Sequence, residues 1–118
     1  DHEAIQKACS YLWALQKEDG GWGEAQESAL ARKYIQAEKS VVEQTAWAII
    51  ALLNGGYAKD VRLIKAVDWL IDQQQVDGDW PLQPMSGLFY KTVMIHYRNY
   101  KRYFPILALQ KYQECLSV

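Results

Sequence analysis

Three scarcities limit what this sequence can be. It has two cysteines, Cys9 and Cys115, at opposite ends of 118 residues. They make no CxxC pair and no metal-ligand spacing, so free thiols are expected rather than a disulfide framework or a zinc site. It lacks a run of about 18 apolar residues, which argues against a bilayer-spanning helix, and DHEAIQK at the start has neither the basic nor the apolar stage of a signal peptide. Charge of one sign is missing too: 13 Lys and Arg face 14 Asp and Glu. With no basic stripe and no acidic tail, nucleic acid is not an expected partner. His2 and His96 stand alone, without cysteine or carboxylate at ligand spacing, so no metal is expected. The abundant class is aromatic, with five Trp and eight Tyr.

The periodicity of the apolar residues is helical. Over residues 2–17, Ile5, Ala8, Cys9, Leu12 and Leu15 recur at three- and four-residue spacing, and Asp19-Gly20-Gly21 ends the pattern. A polar loop follows to about Lys39, with room for a helical turn near Ala29–Lys33. Ser40 with Glu43 three residues on reads as a capping box for a second long helix. That helix, VVEQTAWAIIALLNGGY, is apolar almost all round. From about Asp60 to Gln75 the pattern is amphipathic again, with Ile64, Val67 and Ile71 on the apolar face. Asp77-Gly78, Pro81 and Pro84 mark a second loop. A last helix is predicted over Tyr100–Cys115, where Pro105 is tolerable only near the first turns.

The chain also repeats itself. KACSYLWALQKEDGGW (Lys7–Trp22) and KAVDWLIDQQQVDGDW (Lys65–Trp80) align without a gap, 58 residues apart. The same shift lays TAWAIIAL (Thr45–Leu52) over YFPILALQ (Tyr103–Gln110). The unit is therefore a helix pair, one amphipathic and one apolar, with units at about 1–57 and 58–118. A helix apolar on all sides must be covered on all sides, whereas an amphipathic one lies at a surface. Alternation of the two suits a double ring of helices, and two pairs cannot close one. The predicted class is all-α: two repeated helix pairs forming part of an (α/α) barrel, residues 1–118 being one piece of that domain. A free-standing four-helix bundle would need four similar amphipathic helices.

In each repeated stretch, a Gln at the helix end can bond the backbone of the following turn and stack on the Trp. The Gly permits the close approach. Gln16, Gly20 and Trp22 form one such set, and Gln74, Gly78 and Trp80 the other. Their expected role is a clamp between outer helices, a stabilising device rather than chemistry.

These stretches resemble the QW motifs of the squalene and oxidosqualene cyclases. DGGWGE (Asp19–Glu24), QTAWAIIALL (Gln44–Leu53), GDWP (Gly78–Pro81) and YRNYKRYFPILALQKY (Tyr97–Tyr112) follow in the order and spacing of that family's C-terminus. The resemblance covers essentially the whole chain and implies roughly the last sixth of a triterpene cyclase. It implies cyclisation of squalene or 2,3-oxidosqualene through carbocations, with no cofactor. It also implies peripheral, monotopic attachment of the full-length enzyme to the cytoplasmic side of a membrane, and the remainder of the cyclase chain as partner. Phe89, Tyr97 and Tyr100 match substrate-cavity aromatics, whose negative ring faces suit carbocations. Read as packing alone, the same residues are core or surface aromatics.

The sequence departs from the family at Tyr90, in place of an Asn in oxidosqualene cyclases, and at Val93, in place of a cavity phenylalanine in bacterial squalene cyclases. It also departs at Ala29, in place of a Cys or Tyr that supports the acid. Squalene and its epoxide both stay open as substrates. The family's acid motif is not in this chain, so no catalytic residue is expected here; DGDW (Asp77–Trp80) belongs to the second QW motif. Two other readings are a non-enzymatic helical repeat that binds a partner in its groove and a fragment like a protein prenyltransferase β-subunit. The second of these needs an Asp, Cys and His zinc site.

Overall fold

A computed structural model describes residues 1–83, 87–89, 93–95 and 99–117. Its order is α1 (His2–Leu15), α2 (Ser28–Ala31), α3 (Val42–Asn54), α4 (Val61–Asp72), β1 (Gly87–Phe89), β2 (Val93–Ile95) and α5 (Tyr100–Leu116). The helical class expected from the sequence holds. A short antiparallel pair, with Gly87 opposite Ile95 and Phe89 opposite Val93, lies where only a loop was expected. The sequence reading had no alternation long enough to register strands of three residues.

The outer helices begin on aspartates. Asp1 accepts from the Glu3 amide at 3.2 Å and Asp60 from the Arg62 amide at 2.8 Å, each filling one of the unpaired donors of a first turn. Both helices stop earlier than predicted. In α1 the chain turns extended at Gln16, and in α4 the last helical residue is Asp72. The cause is the Gln-led turn that follows: in each case the Gln side chain is committed to the loop instead of the helix.

Helix α3 is the centre of the core. Val42, Ala46, Ile49, Leu52 and Leu53 are buried against Cys9 of α1, Leu63, Ala66, Val67 and Leu70 of α4, and Ala108 of α5. Trp22 and Trp80 close this cluster from the two loops. Burying a side chain of Leu or Ile size contributes about 1.5–3 kcal/mol, so α3 carries the largest share of the stabilisation. Both cysteines are free thiols, with Cys9 buried.

Packing corrects three expectations. Ile64 and Ile71 are exposed, and the buried stripe of α4 is Leu63, Ala66, Val67 and Leu70. Val67 belongs to both candidate stripes, and contact with α3 selects the one containing Leu63. Ile5 is likewise exposed on α1. The Ser40–Glu43 capping box does not form: Val41 is the N-cap and contributes no side-chain bond. Ser40 Oγ donates instead to Asp19 Oδ1 at 2.7 Å. The cap comes from a distant loop, where Gln83 Oε1 accepts from the Val42 amide at 2.7 Å and Gln83 Nε2 donates to the Ser40 carbonyl at 3.1 Å. Pro105 sits inside α5 and is buried, in the sixth position of the helix.

Because Gln83 caps α3 from outside, Gln83→Ala should cost about 1 kcal/mol, within the range for losing an N-cap. The urea midpoint should fall accordingly. An unchanged midpoint would mean that water replaces the amide without loss.

Candidate functional site: the paired tryptophan turns and the aromatic end of the last helix

The two Gln-to-Trp turns share one hydrogen-bond plan. Gln16 Nε2 donates to the Gly20 carbonyl at 2.9 Å, and Gln74 Nε2 to the Gly78 carbonyl at 2.8 Å. The Trp22 indole donates to the Leu12 carbonyl at 2.8 Å, and the Trp80 indole to the Leu70 carbonyl at 2.9 Å. Asp19 accepts from the Gly21 amide and Asp77 from the Asp79 amide, at 2.9 and 3.0 Å. Gly20 and Gly78 have φ of +100° and +90°, a region in which a Cβ is strained. Each indole is thus buried with its one donor satisfied by the last turns of its own helix.

The turns differ in what they hold. Gln16 Nε2 also donates to the Arg62 carbonyl at 2.9 Å, in the first turn of α4, and Lys65 Nζ donates to the Glu18 carbonyl. The Arg62 guanidinium lies 4.1 Å from the centroid of the Trp13 ring, a cation–π contact on the same joint. A Cβ on Gly20 would sit 2.8 Å from the Lys65 carbonyl oxygen, so glycine is needed for the approach of α4. Among the described residues no such neighbour stands at Gly78, where the nearest atom is Gln74 Nε2 at 4.0 Å.

The segment after each Trp is latched to the following inner helix by different chemistry. In the first turn, Thr45 Oγ1 of α3 accepts from the Trp22 amide at 2.9 Å and lies 3.3 Å from the Trp22 carbonyl. In the second, buried Lys101 of α5 donates to the Trp80 carbonyl and to Asp79 Oδ2, both at 2.8 Å. The Lys101 ammonium holds the Asp79 carboxyl below its ordinary pKa, with the Trp80 amide and the Arg102 charge acting the same way. Neither Thr45 nor Lys101 was singled out from the sequence. Their signal was position alone, since Thr45 lies in the QTAW run and Lys101 in the YKRYF run.

At the start of α5 the aromatics gather. Tyr100, expected at the cavity, packs edge-on to Phe104 with centroids 5.1 Å apart and to Trp47 of α3 at 6.0 Å. Trp47 in turn meets Phe104 at 5.4 Å, and Tyr103 meets Phe104 at 5.5 Å. Such tilted pairs put the electropositive edge of one ring toward the negative face of another. Trp47 borders an open cleft of about 340 Å³ that it shares with Tyr11, Leu12, Leu15, Trp22 and Tyr34. Burial, then the Glu24 charge, raises the Tyr34 hydroxyl pKa above its ordinary value. Tyr97 lies outside the described residues, as do Tyr90, His96 and Pro84; the Phe89 and Val93 side chains are likewise outside them, though their backbones are paired in β1 and β2. Among the described residues, no three His, Cys, Asp or Glu side chains converge as metal ligands.

A pair of helical repeats joined by tryptophan turns, with an aromatic cluster at one end, defines a segment of an α/α barrel. The chain matches the squalene-hopene cyclase C-terminal domain family over residues 1–114 and belongs to it. It is similar to the lanosterol synthase erg7A of Aspergillus fumigatus, at 44% identity over 93% of this chain and 15% of that protein. The lanosterol synthase ERG7 of Saccharomyces cerevisiae is 39% identical over 92% of the chain and 15% of its own length. The squalene–hopene cyclase of Zymomonas mobilis is 39% identical over 96% of the chain and 18% of its own length. The chain thus spans less than a fifth of the length of these relatives.

The turns make two predictions. Gly78→Ala should cost about 1–2 kcal/mol from its positive φ alone. Gly20→Ala should cost about 1–3 kcal/mol more, since the methyl also meets Lys65. Equal shifts in the denaturation midpoint would show that the α4 contact yields freely. For Asp79, a lowered folded pKa means stability that is complete above the unfolded value, about 3.9. It is lost as pH falls through the folded value. Asp79→Asn should therefore reduce stability at pH 7 and flatten its decline below about pH 4. Parallel acid-unfolding curves for the two proteins would exclude Asp79 as a contributor.

Proposed function

We propose that this chain forms part of a triterpene cyclase that converts squalene or 2,3-oxidosqualene to a cyclic product through carbocation intermediates. The family match over residues 1–114 carries this reading, and the Trp47, Tyr100, Tyr103 and Phe104 cluster supports it. In this proposal the substrate is protonated by an acid elsewhere in the longer protein, and the chain supplies wall. Phe89, Tyr97 and Tyr100 face the later cations with aromatic π-systems, each worth about 0.5–2 kcal/mol when desolvated. Aromatic rings are poor nucleophiles, so they hold a cation without capturing it, and a dry site keeps water from quenching it. The remainder of the cyclase completes the cavity. Squalene and its epoxide both partition into bilayers, which accords with peripheral, monotopic attachment of the full enzyme at the cytoplasmic face of a membrane. Among the described residues no helix is long and apolar enough to cross one.

The test is made in the full-length protein with Phe89→Ala and Tyr97→Ala, products being separated by gas chromatography. Protonation occurs at the other end of the substrate, so consumption should fall little while incompletely cyclised products accumulate. A loss of about 1.4 kcal/mol shifts the partition between continuing and terminating tenfold. The wild-type product at a uniformly lower rate would reduce both residues to packing. The 118-residue chain alone should give no cyclic product from either substrate, and any cyclised product above the blank would place an acid within it.

A further inference from the structure

Helix α5 begins with little of the usual support for a first turn. Asn99, its N-cap, makes no side-chain capping bond among the described residues, and Pro105 has no N–H to offer the Lys101 carbonyl one turn back. The turn is held from outside instead. The buried residues of α5 are Lys101, Pro105 and Ala108, a helical stripe whose leading member carries a charge. Lys101 is 7% exposed, and its ammonium donates to Asp79 Oδ2 and to the Trp80 carbonyl, both at 2.8 Å. Both acceptors are themselves fixed. Asp79 Oδ1 accepts from the Trp80 amide at 2.8 Å, and the Asp79 carbonyl accepts from the Gln75 amide at 2.7 Å. The Trp80 indole is tied to α4 at the Leu70 carbonyl.

Burial alone does not account for a lysine there. Exchanging a buried ion pair for apolar groups is often neutral in stability, whereas the donors of an ammonium held by two acceptors impose direction. Direction matters here because of the neighbouring residue. Tyr100 and Phe104 lie one turn apart on the flank of the buried stripe. With Lys101 turned to the Trp80 loop, their rings come against Trp47 of α3, at centroid distances of 6.0 and 5.4 Å. We infer that Lys101 is a positioning residue for cyclisation. Its bonds to Asp79 and Trp80 fix the rotation of the first turn of α5 and so hold the Tyr100 ring at the proposed cavity. Lys101 acts only through Tyr100. The catalytic part of the inference rests on the cyclase reading above, whereas the placing of the ring is a property of the fold.

The test is made in the full-length protein, with 3-fluorotyrosine at position 100 and products separated by gas chromatography. The fluorine resonance reads the surroundings of the ring whether or not substrate turns over. Lys101→Met fills the same space without donors, and Asp79 keeps Arg102 as a partner at 3.3 Å. This variant should fold, with the resonance displaced or split. Incompletely cyclised products should rise by about threefold or more, part of what the loss of a whole cation–π contact gives. Lys101→Arg keeps charge and donors and should restore both readouts. Asp79→Ala cuts the latch from the other side and should move the resonance likewise, which keeps the test decisive if Lys101→Met does not fold. Leu63→Ala, in the first turn of α4 and at the opposite end of that helix from Leu70, should lower Tm and leave resonance and products as in the wild type. An unmoved resonance in Lys101→Met overturns the inference. So does an equal displacement in Leu63→Ala, which would mark general loosening. A displaced resonance with wild-type products supports the latch and overturns the cavity role of Tyr100.

Discussion

The side-chain amide of Gln16 is the constraint on which the arrangement of helices depends. Its two donors go to the Gly20 carbonyl of its own turn and the Arg62 carbonyl of the next outer helix. One planar group therefore fixes both where α1 stops and where α4 starts. The left-handed Gly20 brings the loop backbone within reach of Lys65, and the turn delivers Trp22 into the core with its indole donor satisfied. Without that turn α3 would lose the indole that closes its cluster, and α4 would lose its angle of approach.

Around this joint, polar groups orient what apolar burial holds together. Thr45 and Lys101 occupy inner helices but spend their hydrogen bonds on the backbone of Trp22 and Trp80. Gln83, far along the chain, caps α3. These bonds are individually worth about 0.5–1.5 kcal/mol, somewhat more where charge takes part. They are directional where the core is not, so they set register. The aromatic cluster at Trp47 and Tyr100 lies where α3 and α5 meet, so the clamps of the outer helices reach the proposed cavity wall through the inner pair.

Much of the fold was legible because its signals were local or repeated. Glycine-marked helix ends follow from residues within a turn of each other, and the repeat follows from two stretches in register. The capping box was misread because Ser40 and Glu43 satisfy a local rule, while Asp19 and Gln83, far off in sequence, offered better partners to Ser40 and to the helix end. The stripe of α4 was misread because Ile64, Val67 and Ile71 are as helical a spacing as Leu63, Val67 and Leu70. Of the proposed site, Tyr100 is seen among aromatic neighbours. Trp47 had no assigned role, since a Trp in an apolar helix carries no sign of which helix it will meet.

By itself the sequence determined the helical class, the repeat, its Gln-Gly-Trp turns and the family, because these rest on residue type and spacing along one chain. Only the tertiary structure decided which apolar stripe is buried, which loop caps α3, and that Lys101 rather than a hydroxyl latches the second turn. It also decided that Lys65 of α4 packs against Gly20 of the first turn. Those outcomes are competitions between partners distant in sequence, settled by which groups packing brings within about 3 Å of one another.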